Sequence, residues 1–110
     1  MTAKMANWVG LCDLGGFPSE GMHAFEVGAK RLAVYLIDGK VYATDNVCSH
    51  AFALLTDGWL DDGLVECPLH GAQFDVKTGA VIRGPAECPV AVFEMRIRDG
   101  LIEVLIDSES

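Results

Sequence analysis

Turn chemistry constrains this chain more than any other feature. At 38–40, 61–63, 77–79 and 98–100 stand DGK, DDG, KTG and RDG, where Asp and Gly tolerate the positive φ that tight reversals need. Short apolar, β-branched runs occupy the intervals: HAFEVG, RLAVYLID, KVYATDN, GLVECP, AVIRG, VAVFEMRIRD and LIEVLID. Their alternation reads as strands. The securest hairpins are those at DGK and RDG, because an Asp-Gly step between two alternating segments is the strongest short-range hairpin signal. No segment carries helical periodicity; the best candidate for a short turn of helix is SHAFALLT. The predicted fold class is all-β, a sandwich or small barrel, without repeat, linker or internal boundary.

The chain has 110 residues, enough for one modest core, and with 51% hydrophobic and 22% charged residues it has the composition of a globular protein. The opening MTAKMANWVGL lacks the apolar run of a signal peptide, and no stretch approaches the roughly 20 apolar residues of a membrane span. These features predict a cytoplasmic protein. Thiols stay reduced there, so four cysteines are metal ligands or small buried hydrophobes rather than disulfides. Sixteen acidic against eight basic side chains give a net charge of −8, the wrong sign for nucleic acid or an anionic membrane. Basic protein partners suit it better, although solubility alone would also account for the charge.

Two Cys-and-His pairs stand in NVCSHAFALLTDGWLDDGLVECPLHGAQFD, residues 46–75: Cys48 with His50, spaced C-x-H, and Cys67 with His70, spaced C-x-x-H. Pro68 ends the strand before the second pair, Gly71 lets the backbone turn closely past a bound group, and Thr78-Gly79 closes a tight turn. Both pairs therefore fall at strand ends, in loops that a rigid β scaffold can hold in fixed geometry. Thiolate with imidazole suits Zn²⁺ or an iron–sulfur cluster, not Mg²⁺ or Ca²⁺. Structural zinc usually groups Cys with Cys and His with His around a helix. One of each per loop is what asymmetric ligation of a [2Fe–2S] cluster requires, with both Cys on one iron and both His on the other.

CSH, then CPLH after sixteen intervening residues, then G, FD and TG, resembles the C-x-H…C-x-x-H motif of the Rieske family. The resemblance is strongest over 45–85. It implies the Rieske fold, an antiparallel β-sandwich base carrying a small cluster-binding subdomain of two ligand loops, with 1–110 as a single domain and the subdomain at about 46–83. It also implies one [2Fe–2S] cluster per chain, held by Cys48, His50, Cys67 and His70. Among Rieske proteins, the stretch ALLTDGWLDDGLVECPLHGAQFDVKTG and the chain length are most similar to the ferredoxins of bacterial aromatic-ring dioxygenase systems. Those ferredoxins carry single electrons from a flavin-dependent NAD(P)H reductase to a terminal Rieske non-haem iron oxygenase. An assimilatory nitrite reductase small subunit is the alternative, and a zinc-bound interaction domain a third reading.

High-potential members add a disulfide between the loops; the corresponding positions here are Ala53 and Leu69. They also add Ser and Tyr hydroxyls to the cluster's hydrogen bonds, where this chain has Ala72 and Phe74. Both departures imply a low potential, with backbone N–H groups supplying the remaining bonds to sulfur. By the same resemblance Gly84-Pro85 belongs to a third loop that shields the cluster. His23 is expected to be structural or exposed, Cys12 and Cys88 to be small buried hydrophobes, and Phe74 and Trp59 to pack the subdomain core. No nucleophile stands beside a base, and the chain is short for a substrate pocket, so the expectation is an electron carrier and not an enzyme. It is expected to be a monomer that docks transiently, with Asp57, Asp61, Asp62, Glu66 and Glu87 forming an acidic collar around a histidine-capped tip.

Overall fold

The computed structural model describes residues 6–19, 21–48, 53–69, 71–84 and 88–107. Among them are eleven strands in three sheets: β1 (Ala6–Asp13), β2 (Met22–Val27), β3 (Lys30–Ile37), β4 (Lys40–Asp45), β5 (Trp59–Asp61), β6 (Leu64–Glu66), β7 (Gln73–Asp75), β8 (Val81–Arg83), β9 (Val92–Phe93), β10 (Met95–Arg98) and β11 (Leu101–Asp107). The sheets run β1-β11-β10, β2-β3-β4-β9 and β5-β6-β7-β8, and every pairing is antiparallel. The all-β expectation is met. Within SHAFALLT, residues 49–52 lie outside the description, and Leu55–Asp57 form a single 3-10 turn.

Three Asp-Gly steps make the hairpins. Asp38-Gly39, Asp62-Gly63 and Asp99-Gly100 all have positive φ at both residues, the conformation whose twist matches paired strands. They join β3 to β4, β5 to β6 and β10 to β11. In the fourth turn the Asp75 carboxylate accepts from the Lys77 N–H at 2.8 Å, and the Gly79 N–H donates to the Asp75 carbonyl at 2.7 Å.

Strand β3 organises the layers. Leu32, Ala33, Val34 and Tyr35 are consecutive and all fully buried, which a strand shows only when both of its faces are covered. Leu32 and Val34 pack with Ala43 and Val104, with Val9, Leu11, Met95 and Ile106 around them, so this face meets the β1-β11-β10 sheet. Ala33 and Tyr35 face the other way, into a core with Leu55, Val65, Phe74, Val76, Cys48 and Cys67. The first pair of sheets is the sandwich base; the second core joins that base to β5–β8. The run VAVFEMRIRD, which reads as one strand, changes sheet at Glu94: β9 pairs with β4 and β10 with β11.

Candidate metal centre

The two ligand loops are closed in the same way despite their different spacings. The Cys48 N–H donates to the Ala53 carbonyl at 2.9 Å, and the Cys67 N–H to the Ala72 carbonyl at 2.8 Å. Each loop is thus a five-residue reach tied at its neck, with Cys48 or Cys67 at the tie. Below the first neck Val47 bridges to Leu54, and the Leu55 N–H donates to the Asn46 carbonyl at 2.7 Å. In the second loop Gly71, at φ +74, donates its N–H to the Leu69 carbonyl at 3.0 Å, in the left-handed conformation that glycine adopts at little cost.

A buried Asn–Thr clamp secures the first loop. Asn46 is 2% exposed; its Nδ2 donates to Thr56 Oγ1 at 2.9 Å, and its Oδ1 accepts from the Thr56 N–H at 2.9 Å. Its own N–H donates to the Arg31 carbonyl at 2.9 Å, which pins the clamp to the base. Sequence reasoning missed this pair; the signal available was an Asn two residues before Cys48, just past the end of β4. Beside the second loop Gln73 Nε2 donates to Glu66 Oε1 at 3.0 Å.

Cys48 and Cys67 are 4% and 0% exposed and are free thiols. The structure brings them together in one core with Phe74, Val65, Leu55 and Ala72. Burial pushes the Cys67 thiol above its ordinary pKa; a hydrogen bond from the Leu69 backbone lowers it, and the neighbouring Cys48 thiol raises it further. That Leu69 contact is one of the expected backbone bonds to sulfur. Between Cys48 and Val76 the sequence has no Lys or Arg. A metal bound between two adjacent buried cysteines supplies positive charge and displaces the thiol protons. The donor set therefore fits an iron–sulfur group on its cysteine side.

His50, His70, Pro85 and Glu87 lie outside the described residues. Among the described residues no group of three or more His, Cys, Asp or Glu side chains comes together. Ala72 and Phe74 are fully buried and bring no hydroxyl to this core. Gly84 is exposed. His23 is exposed on β2 and meets Phe25 edge to face at 5.0 Å, in keeping with a structural role.

Two expectations are corrected. Trp59 does not pack the subdomain core; it is 60% exposed, because Leu60 takes the inward position on β5 and packs against the core beside Val65 and Phe74. Cys88 is exposed rather than a buried hydrophobe, and Cys12 on β1 is half-buried. No helix among the described residues is long and apolar enough to cross a membrane.

The arrangement can be set beside known proteins. The anthranilate 1,2-dioxygenase ferredoxin subunit of Burkholderia cepacia is 39% identical over 93% of this chain and 94% of its own length. A chain in the complex of reduced oxygenase and oxidised ferredoxin of carbazole 1,9a-dioxygenase superposes with a TM-score of 0.82 at 35% identity, covering 87% of this chain and 99% of that one. A chain described as an NADH-dependent nitrite reductase small subunit from Mycobacterium tuberculosis has the same TM-score of 0.82 but 21% identity, over 93% and 96% of the two chains, and shows a shared fold only. The family model for the Rieske [2Fe-2S] domain matches residues 7–94, spanning both loops, both cysteines and the sheets that hold them, and the chain belongs to that family.

Proposed function

We propose that this chain is the ferredoxin of an aromatic-ring-hydroxylating dioxygenase system, passing single electrons from a flavin-dependent reductase to a terminal oxygenase in the cytoplasm. The observation that carries the reading is the pair of equally closed loops presenting Cys48 and Cys67 side by side in a dry core, in a chain similar along nearly its whole length to a dioxygenase ferredoxin subunit. Similarity to the nitrite reductase subunit is confined to the fold.

Cys48, His50, Cys67 and His70 would hold the cluster, and the subdomain that carries them would span about 46–83. When bound, the cluster supplies a one-electron redox couple. The chain's residues do the rest. Phe74, Leu55, Val65 and Ala72 keep water from the cysteines, and burial of this kind helps to set the potential. The Leu69 backbone contact to Cys67 stabilises negative charge on sulfur. The necks at Cys48–Ala53 and Cys67–Ala72 hold the ligands in place where high-potential relatives use a disulfide.

Asp57, Asp61 and Asp62 are exposed and Glu66 is half-buried; Glu66 adjoins Cys67, whereas Asp61 and Asp62 stand at the other end of the β5–β6 hairpin. Exposed charge acts chiefly on association rate, screened over roughly 8 Å at physiological salt. Partner turnover should therefore slow as ionic strength rises.

Protein-film voltammetry tests the reading. With Ala53 and Leu69 in place of a loop disulfide and Ala72 and Phe74 in place of hydroxyl donors, the midpoint should lie near the bottom of the range of about −150 to +300 mV that mixed Cys/His ligation spans. A midpoint well above zero at neutral pH would contradict a low-potential carrier.

A further inference from the structure

The chain contains two tryptophans, one on β1 and one on β5. In the base, Trp8 on β1 is in register with Leu105 on β11, and the Arg96 side chain reaches its ring from β10. Arg96 pairs with Glu103 in register, its Nε 2.6 Å from Glu103 Oε1, and its guanidinium lies 4.1 Å from the Trp8 ring centroid. Arg96 thus engages the carboxylate and the indole face together.

At the cluster end Trp59 on β5 pairs in register with Glu66 on β6, and Glu66 with Gln73 on β7. Here Trp, Glu and a third side chain lie in one register row, and the third is a neutral amide that donates to Glu66 at 3.0 Å. Among the described residues no cation stands over Trp59. Arg83, the next position across on β8, is in register with Gln73 and is not placed over the indole. Trp59 is 60% exposed and lines a cleft of about 380 Å³ with Asp61, Glu66 and Gln73.

We propose that Trp59 and Glu66 form a docking anchor for a basic protein surface, whose arginine or lysine completes the arrangement that Arg96 completes internally at Trp8. Charge selects the occupant: 48–76 holds Asp57, Asp61, Asp62, Glu66 and Asp75 and no Lys or Arg. An exposed Trp beside a carboxylate offers a cation both attraction to the ring face and an ionic partner, and Trp and Arg are the side chains that dominate interface energetics. Glu66 immediately precedes Cys67, so a partner seated here lies against the second ligand loop. The inference rests on the electron-carrier reading and names the partner chemistry of its docking end.

The test uses the reduced holo-protein with horse-heart cytochrome c, a basic one-electron acceptor, followed by stopped flow. Trp59→Leu keeps apolar bulk but removes the ring face, and should lower the second-order rate about five-fold at low salt; Trp59→Phe should lose less, and Trp8→Phe nothing. A Trp59→Leu rate matching the wild type, or an equal loss in Trp8→Phe, would overturn the anchor. If the wild-type protein does not reduce cytochrome c, the carrier reading fails. Calorimetric titration with hexa-arginine still decides the anchor in that case: about five-fold weaker binding to Trp59→Leu supports it, and equal binding overturns it.

Discussion

The base and the cluster end are built by different means. In the base, β1, β2, β3, β4 and β11 run six to eight residues, with long ladders and apolar faces pressed together. At the cluster end all four strands have three residues, too short to bury much. That sheet relies on the core around Phe74, on the Asn46–Thr56 clamp, on the bond from Gln73 to Glu66, and on close backbone approaches that only glycine permits. Repetition makes the base tolerant; at the cluster end each contact is made once, beside Cys48 and Cys67.

The largest expected effect is at Gly58. A Cβ there would overlap the Glu66 carbonyl and crowd Pro68 Cδ at 3.1 Å, forcing apart the strands that deliver Cys67. Gly58→Ala should cost about 3 kcal/mol and lower the yield of cluster-loaded protein. Gly15→Ala, in the base with open space around it, should change stability by less than about 0.5 kcal/mol. Denaturant titration of both variants decides, and equal costs would erase the contrast.

Next comes the clamp. Asn46→Ala removes two bonds to Thr56 from a buried site and should cost about 2 kcal/mol, with faster bleaching of the visible cluster bands in chelator. Its counterpart in the base, the partly buried Arg96–Glu103 pair, should cost about 1 kcal/mol when Arg96 is changed to Met. A clamp variant that bleached at the wild-type rate would show that the loop is held by its backbone neck alone.

These contacts mark the boundary of what the sequence makes legible. Asp38-Gly39, Asp62-Gly63 and Asp99-Gly100 disclose the hairpins because turn geometry is local. Cys48 and Cys67 disclose the site because few other residue types supply soft ligands. Strands β5 and β7 stay hidden: WLD and QFD hold no β-branched residue, whereas β6 and β8, equally short, show through Val65, Val81 and Ile82. Strand β1 lacks an Asp-Gly step and carries a register shift between Gly10 and Cys12. The exposure of Trp59 is equally hidden, since only the packing of Leu60 decides which neighbour turns inward. The clamp joins residues ten apart, a separation that no local pattern encodes.

The smallest effect lies where the two regions meet. The Tyr35 hydroxyl and Thr44 Oγ1 share a hydrogen bond of 2.8 Å in the core between base and cluster end. Burial drives the Tyr35 phenol well above its ordinary pKa, and the bond to Thr44 opposes this only in part. A raised folded pKa means that this group's contribution is fully present below about pH 10, the value for an unfolded tyrosine, and is lost as pH rises beyond it toward the folded pKa. Tyr35→Phe should cost about 1 kcal/mol at neutral pH and make the loss of stability above pH 10 shallower than in the wild type. Parallel alkaline slopes for the two proteins would assign that loss to other groups.

The central claim, that Cys48, His50, Cys67 and His70 together hold a [2Fe–2S] cluster, is tested most directly by the EPR spectrum of the dithionite-reduced protein and its cysteine and histidine variants. The expected spectrum has the low average g of a mixed Cys/His centre, abolished or altered by His50→Ala or His70→Ala and unchanged in Cys12→Ser and Cys88→Ser. An average g typical of all-cysteine ligation, or a signal that survives His70→Ala and vanishes in Cys12→Ser or Cys88→Ser, would contradict it.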